Sequence, residues 1–226
     1  MCEPLFMDLT SRLDERWALR RFWTVSDSLI FKLTAIIMEP PAVPPPCGCL
    51  FTFYSNSPKG PPGIAPGETL CPTHTIDITP YSTLLINPSW RLHLSNFHYT
   101  QLPYRNRTYP SLEHAYQTTK AAIMTRGPAA EVTDEEFERF EKLTVAKVKS
   151  VGGKIQGKIT EWDRVRRGIM TELLDIKYGR QGTERDVLLG TGTAVLRHIL
   201  PGREHDDVGR LGAALMRIRD AGLNGM

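Results

Sequence analysis

The chain has 226 residues, 41% of them hydrophobic and 23% charged, proportions typical of one folded α/β or α+β domain with extensions. Lys32 interrupts the longest apolar run, residues 29–38, so a membrane-spanning helix of about 18 apolar residues is excluded. The N-terminus lacks a basic segment followed by an apolar one, which predicts an intracellular protein, cytoplasmic or nuclear, without a membrane partner. The four cysteines do not have the regular spacing of a disulfide framework, which indicates reduced thiols.

The net charge of +3 is too small to indicate a nucleic-acid-binding protein, but the charge is unevenly distributed. Residues 145–181 contain nine Lys or Arg and four acidic residues. This basic stretch favours a surface that faces phosphate. The alternative is a solvated helix face with i,i+4 ion pairs.

The first predicted element follows a proline-rich segment. Nine of the 17 prolines lie within residues 40–66, a density that favours extended backbone and turns over helix. We therefore expect residues 1–46 to form an N-terminal extension and linker, and residues 47–226 to form one domain. Its first strand is predicted at residues 49–55, which are rich in aromatic and β-branched side chains.

The next predicted elements are a strand, a hairpin and a helix. Apolar and polar side chains alternate in residues 90–97, which predicts a strand. Residues 98–108 are expected to form a hairpin with Asn106 near its turn. Ser111 is the predicted N-cap of a helix that runs to about Arg126, where a Gly-Pro pair follows.

The remainder is predicted to be helical. Thr133 and Glu136 have the spacing of a capping box, for a helix that extends to Val148. Thr160 and Asp163 repeat that spacing before a further helix. The predicted helices after this point cover about residues 160–179, 184–189 and 207–220, while residues 190–199 fit no single element.

The helix after Ser111 has the most informative side chains. Its polar residues at i, i+3, i+4 and i+7 project from one face: Glu113, Tyr116, Gln117 and Lys120. A carboxylate so placed can activate water or accept a proton from a sugar hydroxyl, and a desolvated lysine can attack an aldehyde or bind phosphate. The alternative is a solvated helix face.

Four further residues are candidate substrate contacts. Ser95, Asn96 and Phe97 could provide hydrogen bonds and a stacking ring for a base, or form only an Asx turn at a strand end. Trp162 could stack on a sugar or base, or belong to the core.

The order of short motifs along the chain carries a family resemblance. The motifs are Leu94-Ser95-Asn96-Phe97, Tyr109-Pro110-Ser111-Leu112-Glu113-His114-Ala115-Tyr116-Gln117 with Lys120, Trp162, Met170, Lys177-Tyr178, Leu188-Leu189, Thr191-Gly192, and Leu211-Gly212 with Leu215-Met216 and Arg219. Over residues 53–220 this series resembles the NADAR (YbiA-like) family of N-glycosidases. The resemblance implies a compact, mainly helical α+β domain with a small β element.

The resemblance also implies site roles. Glu113 would be the principal acid/base, Trp162 a site aromatic, and Asp207 or its neighbour Asp206 the second carboxylate. The family usually has Asp-Trp-Gly before the last helix, and this tryptophan is absent here. We therefore expect a different C-terminal wall of the pocket, in which Arg197 contacts phosphate.

Two mechanisms follow from these roles. In the first, Glu113 orients water for attack on an oxocarbenium-like centre while the second acid protonates the departing amine. In the second, Glu113 assists opening of the ribose ring and Lys120 captures C1 as a Schiff base. Neither mechanism requires a cofactor or a metal.

A separate group of residues has the chemistry of a zinc site. The group lies in and after the proline-rich segment and consists of Cys47, Cys49, Cys71 and His74. Only one residue separates Cys47 from Cys49, fewer than usually separate two zinc ligands. The alternative is that these cysteines only fill the core.

The resemblance implies, as the function, hydrolysis of the bond between ribose C1 and an exocyclic amine of a guanine-like base. Removal of ADP-ribose from guanine in nucleosides, DNA or RNA is the first hypothesis, because the basic stretch suits two phosphates or a nucleic-acid strand. The expected ligand thus contains ADP-ribose or ribose 5-phosphate. The alternatives are clearance of phosphoribosylamino-pyrimidines of riboflavin biosynthesis, a non-catalytic ADP-ribose-binding module, and an adaptor that uses residues 40–46 as a polyproline ligand.

Overall fold

The computed structural model describes residues 47–199 and 209–224, and this part of the chain is mainly helical. In chain order its elements are strand β1 (Leu50–Phe53), helices α1 (Pro72–Ile76), α2 (Ser82–Leu85) and α3 (Trp90–His93), strands β2 (Tyr99–Tyr104) and β3 (Arg107–Ser111), helices α4 (Leu112–Arg126), α5 (Asp134–Glu141), α6 (Val145–Gly153), α7 (Ile159–Gly179) and α8 (Thr183–Gly190), strand β4 (Val195–His198) and helix α9 (Gly209–Asn224). The strands form two two-stranded sheets. This architecture confirms the predicted mainly helical α+β class. None of the described helices combines the length and apolar character needed to cross a bilayer.

Strands β1 and β4 pair in parallel although they are far apart in sequence. Phe53 lies opposite His198 at the end of this ladder. The pairing confirms the strand predicted at residues 49–55 and assigns a strand within residues 190–199, where the sequence favoured no element. Because the strands are parallel, their carboxyl ends lie at the same edge, which places Tyr54 beside the end of β4.

Helix α9 packs directly on the backbone of β4. A Cβ atom at Gly212 would lie 2.2 Å from the carbonyl oxygen of Leu196, so only glycine permits this approach. Leu215 is fully buried one turn further along the same helix. The predicted last helix is therefore present over the described residues 209–224, and the face that carries Leu215 is buried as predicted.

The hairpin β2–β3 leads into the central helix α4 as predicted. Arg105 and Asn106 have positive φ angles of 46° and 62°, which define a two-residue turn of the type that asparagine favours. The Ser111 hydroxyl then accepts a hydrogen bond from the backbone N–H of His114, the predicted N-cap, and Gly127 ends the helix. A cap of this kind contributes about 1 kcal/mol.

The strand predicted at residues 90–97 is wrong, because helix α3 and a turn occupy this segment. The Asn87 side chain accepts a hydrogen bond from Ser89 N–H, and the Asn87 carbonyl accepts one from Trp90 N–H, so an Asx turn starts the helix. Trp90 and Leu94 are both fully buried at i and i+4 spacing. The alternation of apolar and polar residues in this segment therefore belongs to a short helix and not to a strand.

Two helix boundaries also differ from the predictions. The capping box of Thr133 and Glu136 is present, but α5 ends at Glu141 and a separate helix, α6, begins at Val145. The capping spacing at Thr160 does not form a cap, since α7 already begins at Ile159.

Candidate active site

A small cavity surrounds the carboxyl group of Glu113 in the first turn of α4. The cavity has a volume of about 110 Å³. It is lined by Tyr54, Ser55, Ser95, Asn96, Phe97, Glu113, Lys149, His198, Ile199 and Leu211. Glu113 is 6% exposed, and its backbone N–H donates a hydrogen bond to the carbonyl oxygen of Asn96. The structure therefore brings the predicted residues 95–97 together with the predicted acid/base residue.

Burial and the neighbouring groups shift the pKa of Glu113 in opposite directions. Desolvation raises the pKa of its carboxyl group above the usual range. A hydrogen bond of 2.8 Å from the Gln117 amide and the positive charges of Lys149 and Lys120 oppose this rise. A carboxyl group with a raised pKa holds its proton more readily than an exposed glutamate, which suits a group that must both accept and return a proton in acid/base catalysis.

Gln117 is held in place by close packing between α4 and α6. A Cβ atom at Gly152 would lie 2.0 Å from the Gln117 side-chain oxygen. The amide can therefore lie between Glu113 and α6 only because residue 152 is glycine. Through this contact, α6 fixes the orientation of the Glu113 carboxylate.

The loop of residues 95–97 is anchored by a buried lysine of α7. The Lys177 ammonium donates hydrogen bonds of 2.7 Å and 2.8 Å to the carbonyl oxygens of His93 and Ser95, and the Tyr178 hydroxyl also donates to His93. Burial lowers the pKa of Lys177 to about 7. These bonds position the cavity wall opposite Glu113.

The cavity contains a different lysine from the predicted one. The Lys120 amine donates a hydrogen bond of 2.9 Å to the carbonyl oxygen of Gly152, and Lys120 does not line this cavity. Lys149 of α6 does line it, with its amine 5.3 Å from the centre of the Phe97 ring. No pattern in the sequence separates Lys149 from the other cations of the basic stretch.

The predicted aromatic residues have different positions. Tyr116 is half-buried and lines a second, larger cavity. Trp162 is only 3% exposed, packs edge-on against Tyr116 with ring centres 5.0 Å apart, and lines neither cavity. Its position is that of a core residue that supports Tyr116, not of a ring open to substrate.

The second cavity is larger and positively charged. It has a volume of about 590 Å³ and shares Asn96 and Leu211 with the Glu113 cavity. Its arginine residues come from α7 and α9: Arg166, Arg167, Arg210 and Arg217. Arg166 pairs with Asp163 at 3.0 Å, whereas the other three guanidinium groups have no hydrogen bond or ion pair with the described residues. We call this space the arginine cavity.

The remaining predicted positions lie elsewhere. Arg197 is in β4 opposite Thr52 and lines neither cavity, so its predicted contact with phosphate is not supported by its position. Asp206 and Asp207 lie outside the described residues. His198, which sequence reasoning missed, lines the Glu113 cavity, and burial lowers its pKa.

Comparison with known proteins identifies the class. The model of the NADAR domain family matches residues 87–221, more than half of the chain. The chain belongs to this family, whose members are generally N-glycosidase-like hydrolases. Among solved structures, the NMR structure of the E. coli protein YbiA is similar at 21% identity, covering 58% of this chain and 77% of that one, with a TM-score of 0.46. No curated protein matches.

Proposed function

We propose that this protein hydrolyses the bond between ribose C1 of ADP-ribose and the exocyclic amine of guanine, in a nucleoside or a nucleic acid. The observation that carries the proposal is the arginine cavity beside the Glu113 cavity. Asn96 and Leu211 form part of the wall of both. A substrate whose reacting ribose lies at Glu113 could therefore extend a diphosphate and a second nucleoside into the arginine cavity.

The chemistry of the arginine cavity suits such an extension. Guanidinium groups bind phosphate oxygens through paired hydrogen bonds, and three of these groups are free of partners among the described residues. Met170, Leu174 and Ala214 provide apolar surface between the arginines, which suits a ribose or an adenine ring. Tyr116 adds an aromatic edge to the same wall.

Glu113 would perform the proton transfers. As a carboxylate it can take a proton from water or from a ribose hydroxyl, and its raised pKa favours return of that proton to the departing amine. In the route by direct water attack, a second acid assists, and the predicted candidates Asp206 and Asp207 belong to this role. In the Schiff-base route, the Lys120 amine must leave the Gly152 carbonyl to reach ribose C1.

Borohydride trapping distinguishes the two routes. If the Schiff-base route operates, reduction during turnover attaches the ribosyl group covalently to the wild-type protein but not to Lys120→Met. An adduct that persists in Lys120→Met and is lost in Lys149→Met would move the role to the lysine that lines the cavity. Turnover without any adduct supports direct water attack.

The arginine cavity provides the test of substrate class. Arg167→Met and Arg217→Met should each lower kcat/KM for ADP-ribosylated guanine about tenfold or more, since a charge-assisted hydrogen bond is worth about 1.5–3 kcal/mol. The same variants should leave cleavage of a ribose-5-phosphate substrate unchanged. Arg164→Met is the matched control, because Arg164 is exposed on α7, the helix that carries Arg167, and lines neither cavity. Equal losses on both substrates would refute this placement of the diphosphate.

The second candidate is hydrolysis of phosphoribosylamino-pyrimidines of riboflavin biosynthesis. One observation favours it: the Glu113 cavity contains a single cation, Lys149, among its described lining residues, enough for one phosphate. Cleavage of this substrate alone by the wild type would support it. Tight ADP-ribose binding without turnover of either substrate would instead support a non-catalytic binding module.

A further inference from the structure

A group of sulfur and nitrogen atoms lies at the start of β1, away from both cavities. The side-chain ligand atoms of Cys47, Cys49 and His74 all lie within 4.8 Å of one another. Cys71 joins them, since its sulfur is 3.2 Å from His74 Nδ1, the same distance that separates Cys49 Sγ from that nitrogen. Two thiols and one imidazole therefore face a common point, and the third thiol, that of Cys71, lies against the imidazole nitrogen.

These separations suit one tetrahedral metal ion. With Zn–S near 2.3 Å and Zn–N near 2.0–2.1 Å, two ligand atoms of a tetrahedral site lie about 3.5–3.8 Å apart. The sulfur-to-nitrogen distances in the group are within a few tenths of an ångström of this spacing. Three thiolates and one imidazole form a ligand set typical of structural zinc, and soft sulfur ligands disfavour magnesium or calcium.

The backbone around the sulfurs is arranged to support thiolates. The N–H of Cys49 donates to Cys47 Sγ at 3.4 Å, and the N–H of Cys71 donates to Cys49 Sγ at 3.2 Å. Gly48 between the first two cysteines has a φ angle of +78°, a conformation that glycine adopts freely. This turn allows two cysteines separated by one residue to face the same point, despite a spacing shorter than usual for zinc ligands.

A second layer of contacts surrounds the group. The Tyr81 hydroxyl is 3.2 Å from Cys47 Sγ and 3.3 Å from His74 Nδ1, and Tyr81 is itself 1% exposed. Cys49 is fully buried. Hydrogen bonds from such outer residues orient metal ligands and tune their affinity. The surroundings are therefore those of a closed site without an open ligand position for substrate.

We propose that Cys47, Cys49, Cys71 and His74 bind one structural zinc ion that joins the start of β1 to helix α1. The site does not take part in the hydrolysis, because the whole of strand β1, a distance of roughly 16 Å, separates Cys49 from Tyr54 at the Glu113 cavity. Its role is to hold the start of β1 against helix α1. Zinc loss should thus lower thermal stability more than it lowers the turnover number of the folded protein.

The test begins with metal content. The full chain is purified, incubated with zinc and desalted in metal-free buffer, and its zinc is measured by mass spectrometry beside a count of free thiols. We expect one zinc per chain in the wild type and in Cys2→Ser, the matched control for the cysteine outside the group. We expect loss of this stoichiometric zinc in His74→Ala and Cys71→Ser.

Cobalt substitution keeps the test decisive if those variants fail to fold. Wild-type protein with Co²⁺ in place of zinc should show the absorption bands of a tetrahedral ion with thiolate ligands. Absence of bound metal in the wild type, or Co²⁺ bands without thiolate character, would overturn the proposal. Zinc retained in His74→Ala but lost in His93→Ala would also overturn it, since that result would move the metal to His93, His98 and Glu184, the other described group with suitable geometry.

Discussion

The buried ion pair of Glu68 and Arg91 should be a main source of stability in the described domain. Both side chains have zero exposure. The Glu68 carboxylate accepts five hydrogen bonds: from the backbone N–H groups of Thr52, Gly63 and Ala65 and from Nε and Nη2 of Arg91. This carboxylate therefore joins β1, the loop before α1 and helix α3.

Glu68→Gln keeps the shape of the side chain but removes its charge and replaces one acceptor oxygen with a donor. At least two of the five donors then face an amide NH₂, whichever way it is oriented. The Arg91 guanidinium keeps its hydrogen bonds to the carbonyl oxygens of Pro58, Gly60 and Pro61, but its buried charge has no counterion. Breaking one partner of such a pair costs about 3–5 kcal/mol of unfolding free energy. For a chain of this size, that loss corresponds to a fall in Tm of about 6–20 °C.

Urea unfolding and thermal melts followed by circular dichroism measure this change. Glu138→Gln is the matched control, because Glu138 forms an exposed i,i+4 pair with Lys142, and such pairs contribute about 0.3–0.5 kcal/mol. The Glu68→Gln effect should persist in high salt, since buried charges are poorly screened. A loss below about 1 kcal/mol for Glu68→Gln, or equal losses for both variants, would show that this buried ion pair is not a main source of stability.

Two further predictions concern the Glu113 cavity. Gly152→Ala should lower kcat/KM about 10- to 100-fold by displacing Gln117 from Glu113, whereas Gly153→Ala, whose Cβ would meet no atom within 4 Å, should not; equal activity of the two would contradict this. Lys149→Met removes a positive charge that lowers the pKa of Glu113, so this pKa should rise and the corresponding limb of the pH profile of kcat/KM should move to higher pH. If this limb of the pH profile stays in place or moves to lower pH in Lys149→Met, it does not report the titration of Glu113, or Lys149 is distant from Glu113.

The elements that the sequence predicted are those determined by local chemistry. The Ser111 cap depends on a neighbour three residues away, and so does the capping box at Thr133. The turn at Asn106 depends only on a residue type that tolerates positive φ. For this reason the hairpin, the central helix and the face that carries Glu113 and Gln117 could be placed without a structure.

The elements that the sequence missed depend on distant partners. Arg91 lies in the segment that was predicted to be a strand, and it is buried because Glu68, 23 residues earlier in the chain, neutralises its charge. The segment after α3 is held by Lys177, more than 80 residues later. The arginine cavity combines residues of α7 and α9, and no local pattern predicts that Arg167 and Arg217 share one space. The i,i+7 spacing of Arg210 and Arg217 was the signal that could have indicated a common helix face.

We propose that Glu113 carries out N-glycosidic hydrolysis of ADP-ribosylated guanine. The most direct measurement compares release of free ADP-ribose from guanine-linked ADP-ribosylated DNA by the wild type and by Glu113→Gln, with circular dichroism to show that both are folded. We expect release by the wild type and a loss of several orders of magnitude in the variant, with ADP-ribose binding retained. Release by Glu113→Gln at a rate near that of the wild type, or no release by a folded wild-type protein, would overturn the proposal.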